Sequence, residues 1–113
     1  MCFGDGDAQY AVVATDEYIE LRVSGEVDVA SETAHSKVLD RVDELLTLDE
    51  VPIHVNLADV TFFGSTGLTL LLRLKQRADD ADVGFALHDV PDVVQLVIAA
   101  SGLRDHFESG RDA

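Results

Sequence analysis

Two neighbouring stretches decide the fold: Val51-Pro52-Ile53-His54-Val55-Asn56-Leu57 and, a short connection later, Gly64-Ser65-Thr66-Gly67-Leu68. The first alternates apolar and polar residues, a pattern typical of a strand covered on one face, with proline confined to its start. The second opens a segment whose leucine side chains cover most of a helical cylinder. This pattern predicts a largely buried helix with one solvent-exposed side, formed by Arg73, Lys75, Gln76 and Arg77.

This helix ends at Asp79-Asp80-Ala81-Asp82, and Val83-Gly84-Phe85-Ala86-Leu87 follows as a short strand without charge. The strand-helix-strand order predicts a right-handed crossover with parallel strands. The uncharged strand is expected at the centre of the sheet. Between the first strand and Ser65, the adjacent Phe62 and Phe63 are expected to anchor a short connection, residues 58–64, against the core.

Upstream, residues 17–23 alternate as a strand and residues 11–13 predict a preceding hairpin arm. The pattern breaks at Ser24-Gly25-Glu26-Val27-Asp28. Ser31 then offers an N-cap to a helix with Glu32 in its first turn. Downstream, Pro91 is expected in the first turn of a last helix that stops at Gly102. The fold class is therefore α/β.

Composition and charge limit the function. The chain has 113 residues, 47% of them hydrophobic, which predicts one compact domain. Its net charge of −14 disfavours nucleic-acid and membrane-surface partners. The sequence contains neither a secretory signal nor a membrane-spanning run, so we expect a cytoplasmic protein. Cys2 is the only cysteine, which excludes an internal disulfide and argues against redox chemistry.

Ser65 and Thr66 stand between two glycines where a parallel strand gives way to a buried helix. Ligands and modifications in open α/β sheets favour this end of the strands. A phosphate on Ser65 would meet the unpaired N–H groups and positive dipole of the helix. The alternative from the residues alone is that Ser65 serves only as the helix N-cap. Gly64 and Gly67 are expected to leave room for an approaching partner.

The run Gly64-Ser65-Thr66-Gly67-Leu68 resembles the signature of STAS domains, specifically the bacterial anti-sigma factor antagonists, whose usual pattern is Asp-Ser-Ser/Thr/Ala-Gly-Leu. Two further patches are similar to that family: Gly25-Glu26-Val27-Asp28, and Val90-Pro91 with Val97 and Ser101-Gly102-Leu103. The resemblance covers roughly residues 10–107. One departure is that Gly64 stands where the family usually has aspartate. The final helix of the family is also expected to be shortened here.

The resemblance implies a single domain over residues 8–108, with residues 1–7 and 109–113 as flexible termini. It implies a mixed β-sheet with parallel central strands and helices mainly on one face. It implies an anti-sigma factor antagonist that regulates transcription by binding a kinase-type anti-sigma factor. Ser65 would be the phosphorylation site and Thr66 a secondary one. The implied partner surface is Glu26, Asp28, Gly64, Ser65, Thr66, Gly67 and Leu68.

Alternative functions are weaker. A serine hydrolase would need the Gly-x-Ser-x-Gly elbow, which is absent. The histidines His35, His54, His88 and His106 lack the i, i+4 spacing of a helical metal pair and are expected at the surface or on a second sheet face. Glu26 and Asp28 as an acid–base pair, and Asp79, Asp80 and Asp82 as a cation loop, are better interpreted as solvated turns. No catalytic residue, metal or cofactor is predicted.

Two other STAS functions remain open. A nucleotide-binding module is one, although the sequence has no lysine-bearing phosphate loop. The other is a scaffold or subunit that works by contact without phosphorylation, which Gly64 favours. The oligomeric state is left undetermined.

Overall fold

The structure, a computed structural model, describes residues 2–5, 8–28, 32–103 and 107. A five-stranded sheet has the strand order β1-β2-β3-β4-β5 along the chain, with three helices inserted after β3, β4 and β5. The strands are β1 (Cys2–Asp5), β2 (Ala8–Ala14), β3 (Ile19–Val27), β4 (Ile53–Phe63) and β5 (Phe85–His88). The helices are α1 (Glu32–Leu48), α2 (Ser65–Asp80) and α3 (Asp92–Ser101).

The sheet is mixed. β1, β2 and β3 pair antiparallel, whereas β3, β4 and β5 pair parallel. The predicted hairpin arm and the parallel crossover from β4 through α2 to β5 are therefore confirmed. Because parallel strands end at the same edge, the carboxyl ends of β3 and β4 lie side by side at the start of α2.

One face of the sheet is covered and the other is open. Ile19 and Leu21 of β3 lie beside Ile53 and Val55 of β4, and all four side chains are fully buried. The alternate positions, such as His54, are half-buried or exposed. α1 packs against β1, β2 and α2, while α2 and α3 pack against β4 and against each other. The helices thus cover one face, as expected.

β3 and β4 continue beyond their predicted ends. β4 includes the segment expected to be a connection, and β3 runs through the predicted break as far as Val27. The two strands shift register between Arg22 and Ser24 and again between Gly25 and Glu26. Such bulges interrupt the two-residue alternation, so the pattern hides the ends of both strands. Gly25, with φ of 85°, adopts a conformation that favours glycine.

The two adjacent phenylalanines point to opposite sides. Phe63 is 3% exposed and belongs to the core, whereas Phe62 is 49% exposed. The prediction that both anchor the connection against the core is therefore wrong for Phe62, because successive side chains of a strand alternate between faces.

β5 is an edge strand, so its predicted central position is wrong. Its lack of charge has another cause. Phe85 is buried, and its ring lies 6.3 Å from the ring of Phe107, centroid to centroid. The strand is only four residues long, and α3 begins after three connecting residues. A short strand covered by apolar groups needs no charge even at the edge.

Lys75 of α2 is only 6% exposed, so its predicted position on the solvent-exposed side of the helix is wrong. Its Nζ donates to both carboxylate oxygens of Asp79, at 2.8 and 3.1 Å. The alkyl stem is therefore buried while the ammonium group reaches a carboxylate one helical turn away.

Both ends of α3 lie close to their predicted positions. Gly102 ends α3 in the left-handed conformation, with φ of 76°, which confirms the predicted stop. Pro91 is the residue immediately before α3, one position earlier than expected. The expected N-cap Ser31 lies outside the described residues, as does the segment 109–113. At the other terminus, Cys2–Asp5 forms an edge strand where the sequence predicted a flexible segment.

In the part of the chain that the structure describes, we find no helix with the length and apolar character needed to cross a membrane.

Candidate functional site

Ser65 is the first residue of α2, and Gly64 occupies the N-cap position before it. The backbone N–H groups of Gly67 and Leu68 donate to the carbonyl oxygen of Gly64, at 3.0 and 3.3 Å. Ser65 therefore does not fill the N-cap position that the sequence offered as its alternative role. Its side chain is exposed, and among the described residues its hydroxyl has no hydrogen-bond partner. The hydroxyl is available to an approaching molecule.

The acidic turn lies next to Ser65. Glu26 and Val27 of β3 are in register with Phe62 and Phe63 of β4. The N–H of Gly64 donates to the carbonyl oxygen of Val27 at 2.9 Å, which ties the end of β3 to the start of α2. Glu26 is exposed and Asp28 is half-buried. The structure thus brings the two carboxylates and Ser65, which are distant in sequence, to one edge of the sheet.

A groove of about 210 Å³ runs between α1 and α2 from Ser65. From α2 it is lined by Ser65, Thr66, Thr69, Leu70 and Arg73, and from α1 by Glu32, His35, Ser36 and Leu39. Thr66 is half-buried, and the Thr69 hydroxyl donates to the carbonyl oxygen of Ser65 at 3.0 Å. The groove combines hydroxyls with one acidic and one basic side chain. The sequence analysis did not place these α1 residues at the site, because only the packing of the two helices brings them near Ser65.

Gly67 is buried, not open to a partner. A Cβ built on it would lie 2.6 Å from Cε1 of Phe63, well inside normal contact. We expected Gly67 to leave space for a partner, but that space is filled by the Phe63 ring. Leu68 is half-buried against the core. The packing of the Phe63 ring beneath the site therefore requires glycine at position 67.

The surface that remains open is formed by Glu26, Asp28, Gly64, Ser65 and Thr66. We call these residues the Ser65 surface. It joins the ends of β3 and β4 to the start of α2, and it holds two carboxylates and two hydroxyls, with Arg73 in the adjoining groove. Such a surface offers a hydroxyl for modification in an acidic setting.

His35 is buried, contrary to the expectation that the histidines lie at the surface. Its Nε2 lies 2.6 Å from the hydroxyl of Tyr10, and the two rings meet edge to face. A polar ring is accepted in the core because it has a partner there. The same nitrogen is engaged by Tyr10, so it is not turned toward Ser65 as a base.

His54 and His88 meet on the open face of the sheet, although they lie 34 residues apart. Nδ1 of His54 is 2.6 Å from Nε2 of His88, and the ring planes are within 2° of parallel. Rings stacked face to face cannot bring two atoms this close, so the rings lie edge to edge and share one N–H···N hydrogen bond. Burial lowers the pKa of His54, the neighbouring His88 lowers it further, and Glu20 acts in the opposite direction.

Within residues 8–28, 32–103 and 107, no group of three or more histidine, cysteine, aspartate or glutamate side chains is arranged to hold a metal ion. The fourth histidine, His106, lies outside the described residues.

Comparison with known proteins identifies the family. A family model described as "Mlab, STAS domain" matches residues 10–108. The chain belongs to the STAS domain family. The STAS match begins within β2 and continues through α3, and it includes the Ser65 surface. The predicted resemblance to the STAS family is therefore confirmed.

The STAS chain is similar to curated anti-sigma-B factor antagonists from Staphylococcus. It is 28% identical to the Staphylococcus epidermidis protein over 102 residues, covering 88% of this chain and 92% of the relative. It is 29% identical to the Staphylococcus aureus protein over 99 residues, covering 86% and 89%.

Two solved structures share the STAS fold. An anti-sigma factor antagonist from Mycobacterium paratuberculosis superposes with a TM-score of 0.70 at 22% identity, covering 88% of this chain and 82% of that one. The unphosphorylated form of the anti-sigma factor antagonist SpoIIAA also gives 0.70 at 22% identity, covering 83% and 81%. These matches confirm the mixed sheet with its helices.

Proposed function

We propose that this STAS domain is an anti-sigma factor antagonist that binds a kinase-type anti-sigma factor through the Ser65 surface, and that phosphorylation of Ser65 ends the binding. The observation that carries the proposal is the exposed Ser65 hydroxyl at the first position of α2, beside Glu26 and Asp28. The names of the staphylococcal relatives support the antagonist role.

In the proposed reaction the chain is a substrate and the partner supplies the catalysis. The Ser65 oxygen attacks the γ-phosphorus of ATP held by the partner. A new O–P bond forms, the bond from that phosphorus to the β,γ-bridging oxygen breaks, and ADP leaves. The hydroxyl proton passes to a base of the partner. Exposure of Ser65 matters because the hydroxyl must reach the phosphorus in line with the leaving oxygen.

Phosphorylation would change the surface more than the fold. A phosphate adds nearly two negative charges, and at the start of a helix it meets the positive end of the dipole, which favours the helix. The same charge lies beside Glu26 and Asp28, so the surface becomes more strongly anionic. Taking a phosphate dianion out of water within the interface would cost more than nearby basic groups of the partner return, so the complex would dissociate.

The test uses purified serine-kinase anti-sigma factors encoded by the same genome, with ATP, followed by mass spectrometry of the wild-type chain, Ser65→Ala and Thr66→Ala. We expect one phosphoryl group on the wild type and on Thr66→Ala, and none on Ser65→Ala. Complex formation without phosphoryl transfer would overturn the switch and favour a STAS scaffold that works by contact alone.

A further inference from the structure

The aromatic ring of Phe62 lies open beside Ser65. It is 49% exposed at the end of β4, and its register neighbour on β3 is the exposed Glu26. Single exposed apolar residues are common on proteins. Phe62 differs from an isolated one because it adjoins Gly64 and the phosphorylation candidate.

Gly64 determines how much of the Phe62 ring is open. A Cβ built on Gly64 would lie 3.5 Å from Cε2 of Phe62 and 3.5 Å from the carbonyl oxygen of Val27, both ordinary contact distances. The backbone of Gly64, with φ of −93° and ψ of −174°, is extended and suits any residue. An aspartate would therefore fit here, and its side chain would cover the edge of the ring.

We propose that Phe62 is the apolar anchor through which the partner recognises this chain, and that the partner presents an apolar pocket rimmed by basic side chains. This inference rests on the proposed function and specifies the chemistry of its partner. With glycine at 64, the chain lacks the carboxylate that the family usually carries at this position, and the ring of Phe62 is exposed instead. Recognition next to Ser65 then depends on apolar contact at the centre and charge at the edge.

The surroundings of Phe62 fit this arrangement. A half-exposed aromatic ring gives a large contact area with little loss of side-chain freedom, which is why aromatic residues dominate binding energy at interfaces. Glu26 and Asp28 lie at the end of β3 beside it, and the chain as a whole carries a net charge of −14. Basic side chains around the partner's pocket would complement these carboxylates and speed association.

The test measures, without ATP, the dissociation constant of the complex with whichever anti-sigma factor binds the chain in the phosphorylation experiment described under the proposed function. Phe62→Ala should raise it by at least about tenfold, in the range expected for a central anchor. Phe62→Leu keeps an apolar side chain and should lose less. The matched control is Leu96→Ala, which removes a side chain that is 70% exposed on α3 and should leave binding within about twofold.

Two further measurements separate the parts of the inference. Gly64→Asp should weaken binding because the new side chain covers the edge of the Phe62 ring. Wild-type affinity should fall as salt is raised, and Glu26→Gln should make it less sensitive to salt. Unfolding curves of all variants show whether each is folded.

The outcomes are distinct. If folded Phe62→Ala binds within about twofold of the wild type, the anchor is wrong while the proposed function stands. If the wild type binds none of the anti-sigma factors, the proposed function and this inference both fail.

Discussion

The ring of Phe63 occupies the space beside the α-carbon of Gly67, where a Cβ would lie 2.6 Å from Cε1. This contact joins the last residue of β4 to the first turn of α2. It holds the start of the helix, and with it Ser65, against the end of the sheet. The packing beneath the Ser65 surface therefore depends on glycine at 67.

Gly67→Ala should lower the free energy of unfolding by about 1–3 kcal/mol, because the added methyl group forces the Phe63 ring or the helix to move. Urea denaturation measures the loss. Gly64→Ser is the control, since its Cβ has room and serine is a favourable N-cap, so its stability should match or exceed that of the wild type. Equal stability of Gly67→Ala and the wild type would contradict the contact.

His54 should make stability depend on pH. Burial lowers its pKa from the ordinary value of 6.5, and His88 lowers it further. As the pH falls, His54 is protonated in the unfolded chain at a higher pH than in the folded chain. Between these two pKa values, its protonation therefore lowers the free energy of unfolding progressively. The groups facing it include His88, Glu20 and the ring of Tyr18.

The measurement is the unfolding free energy of the wild type minus that of His54→Gln, followed from about pH 8 down to about pH 5. This difference should decrease as the pH falls. The contributions of the many carboxylates that both proteins share cancel in it. In NMR titrations, His88→Gln should raise the pKa of His54 relative to the wild type. A His54 pKa at or above 6.5 in the wild type would sink the prediction.

Tyr10→Phe should lower the free energy of unfolding by about 1–3 kcal/mol, because it removes the hydroxyl that meets His35 in the core. The edge-to-face ring contact should remain. Thermal or urea unfolding measures the change. Tyr18→Phe, at a side chain that is 36% exposed, is the matched control and should change stability by no more than about 0.5 kcal/mol. If both variants lose the same free energy of unfolding, the buried Tyr10–His35 hydrogen bond contributes no more to stability than the exposed hydroxyl of Tyr18 does.

Much of the fold was predictable because its regular parts leave clear patterns. The alternation of residues 51–57 identified β4, and the leucine pattern identified α2. The ends of β3 and β4 were not predictable, since bulges at Ser24 and Glu26 break the alternation. The edge position of β5 was missed because Phe85 is buried beside the ring of Phe107, so this strand is largely apolar although it lies at the edge of the sheet.

The candidate site was predictable where it is local in sequence. Ser65, Thr66 and Gly64 come from one short run, and the family resemblance added Glu26 and Asp28. Phe62 was assigned to the core, because a sequence does not show which of two adjacent aromatics faces outward near a bulge. The pairing of His54 with His88 depends on the register of β4 and β5, which the histidine spacing alone does not reveal.

The central claim is that phosphorylation of Ser65 controls partner binding, and the most direct measurement compares the dissociation constants of the unmodified and Ser65-phosphorylated chain for the same anti-sigma factor. The account predicts tight binding of the unmodified chain and at least about a tenfold weaker complex after phosphorylation. Ser65→Ala should bind like the unmodified chain before and after treatment with ATP. Equal affinity of the two forms would contradict the account.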